Sequence, residues 1–348
     1  MKPTHTIVNG LNRRQFGLGS LAVGAALAVG ALPTAAQAAP VKIRIGWIRV
    51  PVSFGPMLLA KKDILKNYGK SYVSELTKFP HSPELCNAMY AGEIDFGPMN
   101  VTPLLHALSD PAKADLRIVG DGMQDGFPGY ATNPLMVRKD GKIKKIADMK
   151  GKVMSTNQKG SPMEVAFRAL AKRAGLEAEK DFTFAYGDQP TQLKFLTEGK
   201  ADLISPVIPN NYKPQVTAVA ETLFTQKDGL GITQLETNVA RASFIQSNRA
   251  ALVDFFEDMM IALRWYYDPK NHNEVVSIIS GLNGQPPDGW DWTFTQRDQY
   301  RDPKLIPNLK ALKGNWEVMK EVGLLDLDVV DPVKFADLSM VTEAAKRF

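Results

Sequence analysis

A five-residue turn sequence occurs twice in this chain and constrains its fold more than any other feature. Gly92-Glu93-Ile94-Asp95-Phe96 returns, 107 residues later, as Gly199-Lys200-Ala201-Asp202-Leu203. Each copy closes a helical pattern that opens on a proline, Ser82-Pro83-Glu84 in the first and Gln189-Pro190-Thr191 in the second. Proline suits the first helical turn and glycine suits the residue just past a helix end. Each copy also follows an apolar strand pattern, Tyr72–Phe79 or Phe182–Tyr186. A strand–helix–strand unit used twice predicts an α/β protein of two similar lobes, each a mainly parallel sheet flanked by helices.

The rest of the chain fits that plan. Val41–Trp47 alternates apolar and basic residues and reads as the opening strand, with a helix over 55–66 behind it. Glu93–Gly97 reads as a short strand. The Gly/Pro-rich stretch 126–130 ends the first part, and the second lobe begins near Leu135. Its clearest helix is Pro162–Ala174, where Ser161 caps the start and Glu164 completes a capping box. Ala240–Ile245 reads as a strand returning to the first lobe, followed by a long helix over Arg249–Tyr267. Residues 281–304, rich in Gly, Pro, Asp and Trp, read as a loop. The expected division is a signal at 1–38, lobe one at 39–134, lobe two at 135–239, and a return to lobe one with C-terminal helices at 240–348.

Residues 17–32 are apolar, uncharged and rich in Gly and Ala, and a basic stretch precedes them. Ala36-Gln37-Ala38 supplies a small-x-small cleavage pattern, so the segment reads as a secretory signal. Arg13-Arg14-Gln15-Phe16 resembles the twin-arginine export motif. No cysteine stands near the cleavage point, which argues against a lipoprotein. No second apolar run is long enough to span a bilayer, and the expected location is the periplasm. Residues 1–38 hold three cations and no acid, so their removal takes the formal charge from +5 to +2. A balanced surface of this kind gives no footprint for nucleic acid.

The titratable inventory excludes much chemistry. One cysteine, Cys86, rules out an internal disulfide and Cys-rich metal sites, and four histidines form no ligand pattern, so neither metal nor cofactor is expected. Gly69-Lys70-Ser71 lacks the earlier glycine of a phosphate loop, and Gly120-x-Gly122 lacks the rest of a dinucleotide fingerprint. The lysines between 139 and 152 read as a solvated face. Catalytic residues are therefore not assigned. What remains is helix starts that follow strands, where free N–H groups attract anions. Ser82 with His81, and Ser161 with Asn157 and Lys159, are candidate binding groups on this basis. Trp47, Arg49, Ser53 and Phe54 follow the first strand and suit an organic anion, a guanidinium for its head and rings for its body.

Four segments together resemble the nitrate/sulfonate/taurine class of ABC-importer substrate-binding proteins. They are Lys42–Trp47 with Gly55–Ala60; Ala88-Met89-Tyr90-Ala91-Gly92-Glu93-Ile94-Asp95-Phe96-Gly97; Ile146-Ala147-Asp148-Met149-Lys150-Gly151-Lys152-Val153; and Glu198–Asp202. The resemblance covers roughly 41–270. It implies a type II periplasmic-binding-protein fold with a ligand cleft between the lobes, and a monomer that serves a membrane permease and an ATPase. It adds Asn100, Tyr130 and Asn133 to the candidate ligand residues. Pro80-His81-Ser82-Pro83 departs from the small residues common there, which favours an organic sulfonate or carboxylate, aliphatic or aromatic, over nitrate. Trp47, Phe54, Phe79, Phe127 and Tyr130 are the rings expected near such a ligand. An exported enzyme of the same fold and a ligand-binding sensory protein are the competing readings.

Replacing both signal arginines by lysine, Arg13→Lys with Arg14→Lys, keeps the charge and removes the guanidinium pair. Precursor should then accumulate in the cytoplasm of a cell fractionated after induction; normal export would leave the general secretory route instead.

Overall fold

The computed structural model describes residues 39–348, Ala114 excepted. The signal residues Arg13, Arg14, Phe16, Ala36 and Ala38 lie outside the described residues.

Among the described residues, ten strands form two sheets. They are β1 (Val41–Trp47), β2 (Tyr72–Lys78), β3 (Phe96–Asn100), β4 (Leu116–Asp125), β5 (Pro134–Arg138), β6 (Lys152–Thr156), β7 (Phe182–Tyr186), β8 (Leu203–Ile204), β9 (Ala220–Thr225) and β10 (Thr233–Arg241). Between and after them run α1 (Gly55–Ala60), α2 (Ser82–Tyr90), α3 (Val101–Leu108), α4 (Pro162–Arg173), α5 (Gln189–Thr197), α6 (Pro214–Thr217), α7 (Gln226–Leu230), α8 (Ala242–Tyr267), α9 (His272–Asn283), α10 (Leu309–Glu321) and α11 (Ser339–Ala344). None of these helices is long and apolar enough to cross a membrane.

The first sheet has the order β2-β1-β3-β10-β4 and the second β7-β6-β8-β5-β9. The two orders correspond position by position. In each sheet the first three strands are parallel, and the fourth runs antiparallel to its neighbours. That fourth strand is the one entered from the other lobe: β5 follows β4, and β10 follows β9. The chain therefore crosses twice between two copies of one topology, which is the two-lobed α/β architecture the repeated turn predicts.

The repeated aspartates do the same job in both copies. Asp95 N–H donates to Arg44 O at 2.8 Å, and its Oδ2 accepts Arg44 N–H at 3.0 Å. Asp202 N–H donates to Val153 O at 2.8 Å, and its Oδ2 accepts Val153 N–H at 3.0 Å. Each turn thus clips its strand to the central parallel strand. The glycine before it stands at φ 74° (Gly92) or 69° (Gly199), a left-handed conformation that only glycine adopts without cost.

Helices cover both faces of the first sheet. On one side α8 packs Leu252, Phe255, Phe256 and Met259 against Ile43, Ile45 and Phe96; on the other, Leu85, Met89, Leu104, Leu105 and Trp316 of α2, α3 and α10 form a second cluster. In the second lobe, Met163 and Phe167 of α4 pack on Leu135, Met154 and Phe182. The capping box of α4 forms with one change of partner. Ser161 Oγ accepts Glu164 N–H at 3.2 Å, while Glu164 Oε2 reaches past the cap residue to accept Gly160 N–H at 2.9 Å.

Four elements have boundaries that differ from the sequence reading. The return strand is β10, Thr233–Arg241, rather than 240–245, and the long helix already starts at Ala242. Gln234, Glu236, Thr237 and Asn238 are buried polar residues in that strand, so its burial leaves no hydrophobic trace. The short strand begins at Phe96, because 93–95 is the turn that positions Asp95. The first helix ends at Ala60 and continues as a separate 3-10 turn over Lys62–Ile64.

Asp95 is 1% exposed and takes three guanidinium hydrogen bonds, from Arg44 Nε (2.8 Å) and Nη2 (2.6 Å) and Arg241 Nη2 (2.6 Å). Burial pushes its carboxyl up, but the Arg44 and Arg241 hydrogen bonds outweigh burial and hold it below the usual carboxylate range. Its stabilisation is accordingly full above the aspartate pKa of an unfolded chain and is lost as pH falls through the lower folded value. Asp95→Ala should cost about 3–5 kcal/mol, since two partly buried guanidinium groups lose their partner. Asp202→Ala, with only the backbone clip and the half-exposed Lys152 at 3.4 Å, should cost about 1–2 kcal/mol. Urea unfolding of both variants at pH 7 checks the ranking, and a repeat at pH 3 should shrink the gap between them.

Candidate functional site: the cleft edge of the two sheets

The carboxyl ends of β1, β2 and β3 lead into α1, α2 and α3, and those of β6 and β7 into α4 and α5. Ligands of open α/β sheets sit beyond such strand ends. Most of the candidate residues fall here, but in separate groups.

In the first lobe, Ser82 and Asn100 come together. Asn100 Nδ2 donates to Ser82 Oγ at 3.0 Å, with Asn100 exposed and Ser82 buried. Ser82 is the first residue of α2, and the cap position belongs to the exposed His81, whose side chain makes no capping bond. Ser82 thus joins the ends of two strands instead of capping. In the loop after β1, Arg49 is exposed, whereas Ser53 is 1% exposed and accepts Ile48 N–H at 3.0 Å. The Ser53 hydroxyl therefore shapes the loop that carries Arg49. Trp47 is half-buried under Lys78, whose ammonium lies 4.9 Å from the ring centre.

In the second lobe, Asn157 and Lys159 are exposed and Ser161 is buried. Ser161 Oγ lies 3.0 Å from Thr156 Oγ1, and Thr156 also bonds Asn157 Oδ1 and Ser205 Oγ. Arg168 fixes Glu164 from behind, its Nε donating to Glu164 Oε1 at 2.7 Å. The 157–161 loop is thereby held from both ends while Lys159 is left exposed.

Lys159, Gln158 and Gly160 face α2, α3 and α10 across a pocket of about 560 Å³, whose other walls include Pro83, Cys86 and His106. This pocket draws residues from both lobes. Its walls are largely apolar, with Pro103, Ala107, Met319 and Leu324 among them.

Two candidates serve other purposes. Asn133 is 5% exposed and fully engaged: its N–H donates to Asp125 Oδ2 at 3.0 Å, its Oδ1 accepts Ile208 N–H at 3.0 Å, and its Nδ2 donates to Gln226 Oε1 at 3.3 Å. It ties the β4–β5 crossover to the segments after β8 and β9. Tyr130 lies in an aromatic group, edge-on to Tyr300 at 5.1 Å and to Tyr267 at 6.4 Å, beside a different cavity. Phe127 stacks on Tyr300 at 3.7 Å, and Phe54 meets Tyr266 edge-on at 5.7 Å. Phe79 packs at the margin of the α2–α3–α10 cluster. These rings already have partners within the protein.

Sequence reasoning missed the cleft end of β10. Glu236 pairs with Asn100 on one side and Met123 on the other, and it is 1% exposed. Neither of its carboxylate oxygens has a hydrogen-bond partner. Burial pushes its carboxyl up to about 8, against the pull of Arg49 and Arg301 and with the help of Asp121. Asp121, also buried, is pushed up to about 7 by burial, although Gln234, Asp302 N–H and Gln124 all donate to it. The one available signal was a glutamate in a segment that had to rejoin the first sheet.

Residues 36–280 match the NMT1-like family. A putative aliphatic sulfonates-binding protein of Escherichia coli (strain K12) is 31% identical over 159 residues, 45% of this chain and 46% of that protein. The chain thus spans about half the length of that relative. Among solved structures, the periplasmic aliphatic sulphonate binding protein SsuA from Escherichia coli is similar with a TM-score of 0.68 at 18% identity, over 86% of this chain and 92% of that one. The desulfurization enzyme DSZB is similar with a TM-score of 0.59 at 14% identity, over 88% of this chain and 99% of that one. At these identities the two structures speak to fold. With the family matched over well more than half of its length and the doubled sheet topology in place, the chain belongs to the NMT1-like family and has the two-lobed fold of the periplasmic binding proteins.

Proposed function

We propose that this protein is the exported, periplasmic solute-binding component of an ABC importer. It captures a small organic anion, a sulfonate or carboxylate, between its lobes and delivers it as a monomer to a membrane permease driven by an ATPase. The observation that carries this reading is the pocket shared by the two lobes. It brings the loop of Lys159 against the helix starts at Pro83 and Thr102, with apolar walls behind. The apolar walls suit a hydrocarbon body at about 25 cal/mol per Å² buried, with the Lys159 cation at their rim. The sulfonate-binding relatives favour the same ligand class. The engaged state of Phe54, Phe127 and Tyr130 removes the main argument for an aromatic body in particular, so aliphatic and aromatic anions stand level.

The enzyme reading draws on the likeness to DSZB. It needs an activated nucleophile, and Cys86 is the only cysteine. Its thiol donates to Tyr90 Oη at 3.0 Å and lies 4.0 Å from Met99 Sδ, in the packed core of α2 and β3. That setting favours an inert thiol over a thiolate.

A thermal-shift series with alkanesulfonates, benzenesulfonate, benzoate, nitrate and sulfate tests the proposal. An organic anion at 100 times its dissociation constant should add about 2.7 kcal/mol. Response to nitrate or sulfate alone would overturn the organic-anion reading. Arg49→Ala and Lys159→Ala, one from each lobe, should each weaken binding of the best sulfonate by about 1–3 kcal/mol in calorimetry. Unchanged affinity in both would remove the two-lobe clamp.

A further inference from the structure

The loop after β1, the cleft end of β10 and the segment around residue 301 meet in one corner. Arg301 is 3% exposed. Its Nη1 donates to Asp298 Oδ2 at 2.8 Å and to Gln299 O at 3.3 Å, and its Nη2 donates to Pro51 O at 3.2 Å and contacts Met123 Sδ at 3.7 Å. Its Nε has no partner. Glu236 stands beside Met123 in register, with both carboxylate oxygens unpartnered. A buried donor and a buried carboxyl are thus orphaned in the same corner, a rare and costly arrangement in a folded protein. The corner lies just beneath the cleft surface: Asn100, the other cross-strand partner of Glu236, is exposed, and so is Arg49.

The charges around the corner decide what fits. Glu236 feels the charges of Arg49 in the loop after β1, Arg301 in the C-terminal segment and Asp121 on β4. Tyr267 Oη accepts Arg301 N–H, and Asp298 holds the far side of the guanidinium. A ligand ammonium placed at Glu236 would meet two guanidinium groups. A ligand oxyanion would be attracted by both, provided Glu236 is neutral.

We propose that this corner is an oxyanion subsite, in which Glu236 in its protonated form donates one hydrogen bond and Arg301 Nε a second to the sulfonate or carboxylate oxygens of the ligand, with Arg49 closing over them. This rests on the importer reading and adds a condition to it: the ligand binds together with a proton held on Glu236. Burial keeps that proton in place up to a pH of about 8. Above that value the acid must first regain a proton, so affinity falls about tenfold for each further pH unit.

The test is calorimetry with benzenesulfonate and 1-butanesulfonate, strong acids that stay ionised throughout, from pH 6 to 9.5. Wild-type affinity should be level up to about pH 7.5 and then fall about tenfold per unit. At pH 9 the binding enthalpy should depend on the buffer, reporting uptake of one proton. Glu236→Gln keeps a donor that does not titrate, so it should bind roughly three- to tenfold more weakly at pH 6.5 and show no further fall to pH 9.5. Level wild-type affinity to pH 9.5, or an equal fall in Glu236→Gln, overturns the subsite and leaves the importer reading intact. A natively folded Glu236→Gln protein that loses all binding at pH 6.5 also overturns it, because a neutral donor of nearly the same shape should have replaced the protonated acid. If that variant does not fold, the buffer dependence of the wild type decides alone. No binding of either sulfonate at any pH overturns this subsite, and if the carboxylates fail as well the importer reading falls with it.

Discussion

Everything at the cleft depends on how β10 is seated, and β10 is seated by one buried carboxylate. Asp95 takes Arg44 from β1 and Arg241 from the end of β10, and its own carbonyl accepts Arg241 N–H at 3.2 Å. Three strands are locked together at the edge remote from the cleft. Shifting a strand by one residue would swap its faces, so this lock fixes which side chains of β10 meet the cleft. With Arg241 held at Asp95, the antiparallel register sets Ala240 opposite Phe96 and Glu236 opposite Asn100. The end of the sheet remote from the cleft therefore sets the position of the cleft end.

The same dependence explains what was legible in the sequence. The turn Gly-x-x-Asp is readable because its demands are local: a left-handed backbone at Gly92 and Gly199, and an aspartate that can reach the neighbouring strand. The α4 capping box is readable for the same reason, its partners lying within four residues. The return strand escaped detection because its demands are long-range. Gln234 bonds Asp121 and Asn308, Asn238 bonds Asp121 O, and Thr237 bonds Met99 O. These polar residues are buried because distant segments satisfy them, and no periodicity records that.

The candidate binding residues divide along the same line. Arg49, Asn157 and Lys159, nominated by their place after a strand, are exposed in such loops, and Asn100, which the resemblance added, is exposed at the end of β3. Ser53, Ser82 and Ser161 stand in the right loops, but their hydroxyls are engaged in shaping those loops. Asn133 was placed in the right crossover and proves to hold it: removing its side chain would leave Ile208 N–H and Gln226 Oε1 without a partner. The aromatic residues were the weakest nominations, because rings close to a cleft have many other rings to pack against, and Tyr300, Tyr266 and Tyr267 take them up.

The two lobes also spend their buried charge differently. In the second lobe Glu164 is wholly buried, yet it is met by Gly160 N–H, Arg168 and the Tyr186 hydroxyl, so its cost is offset on the spot. In the first lobe Asp95 is met in the same way, whereas Glu236 is not. An unpaired buried carboxyl lowers the stability of the folded chain as pH rises from the ordinary glutamate pKa toward about 8, because the unfolded chain ionises there and the folded one does not. A protein that satisfies comparable acids elsewhere with arginine and backbone donors had the means to satisfy this one. Arg301 acts on it electrostatically, but Asp298, Gln299 O and Pro51 O hold its other nitrogens, and Nε is left without a partner. Stability given up at one point of an otherwise satisfied polar network marks a functional site more sharply than exposure does. On that ground the cleft end of β10, and not only the more visible helix starts, is the place to test for ligand recognition.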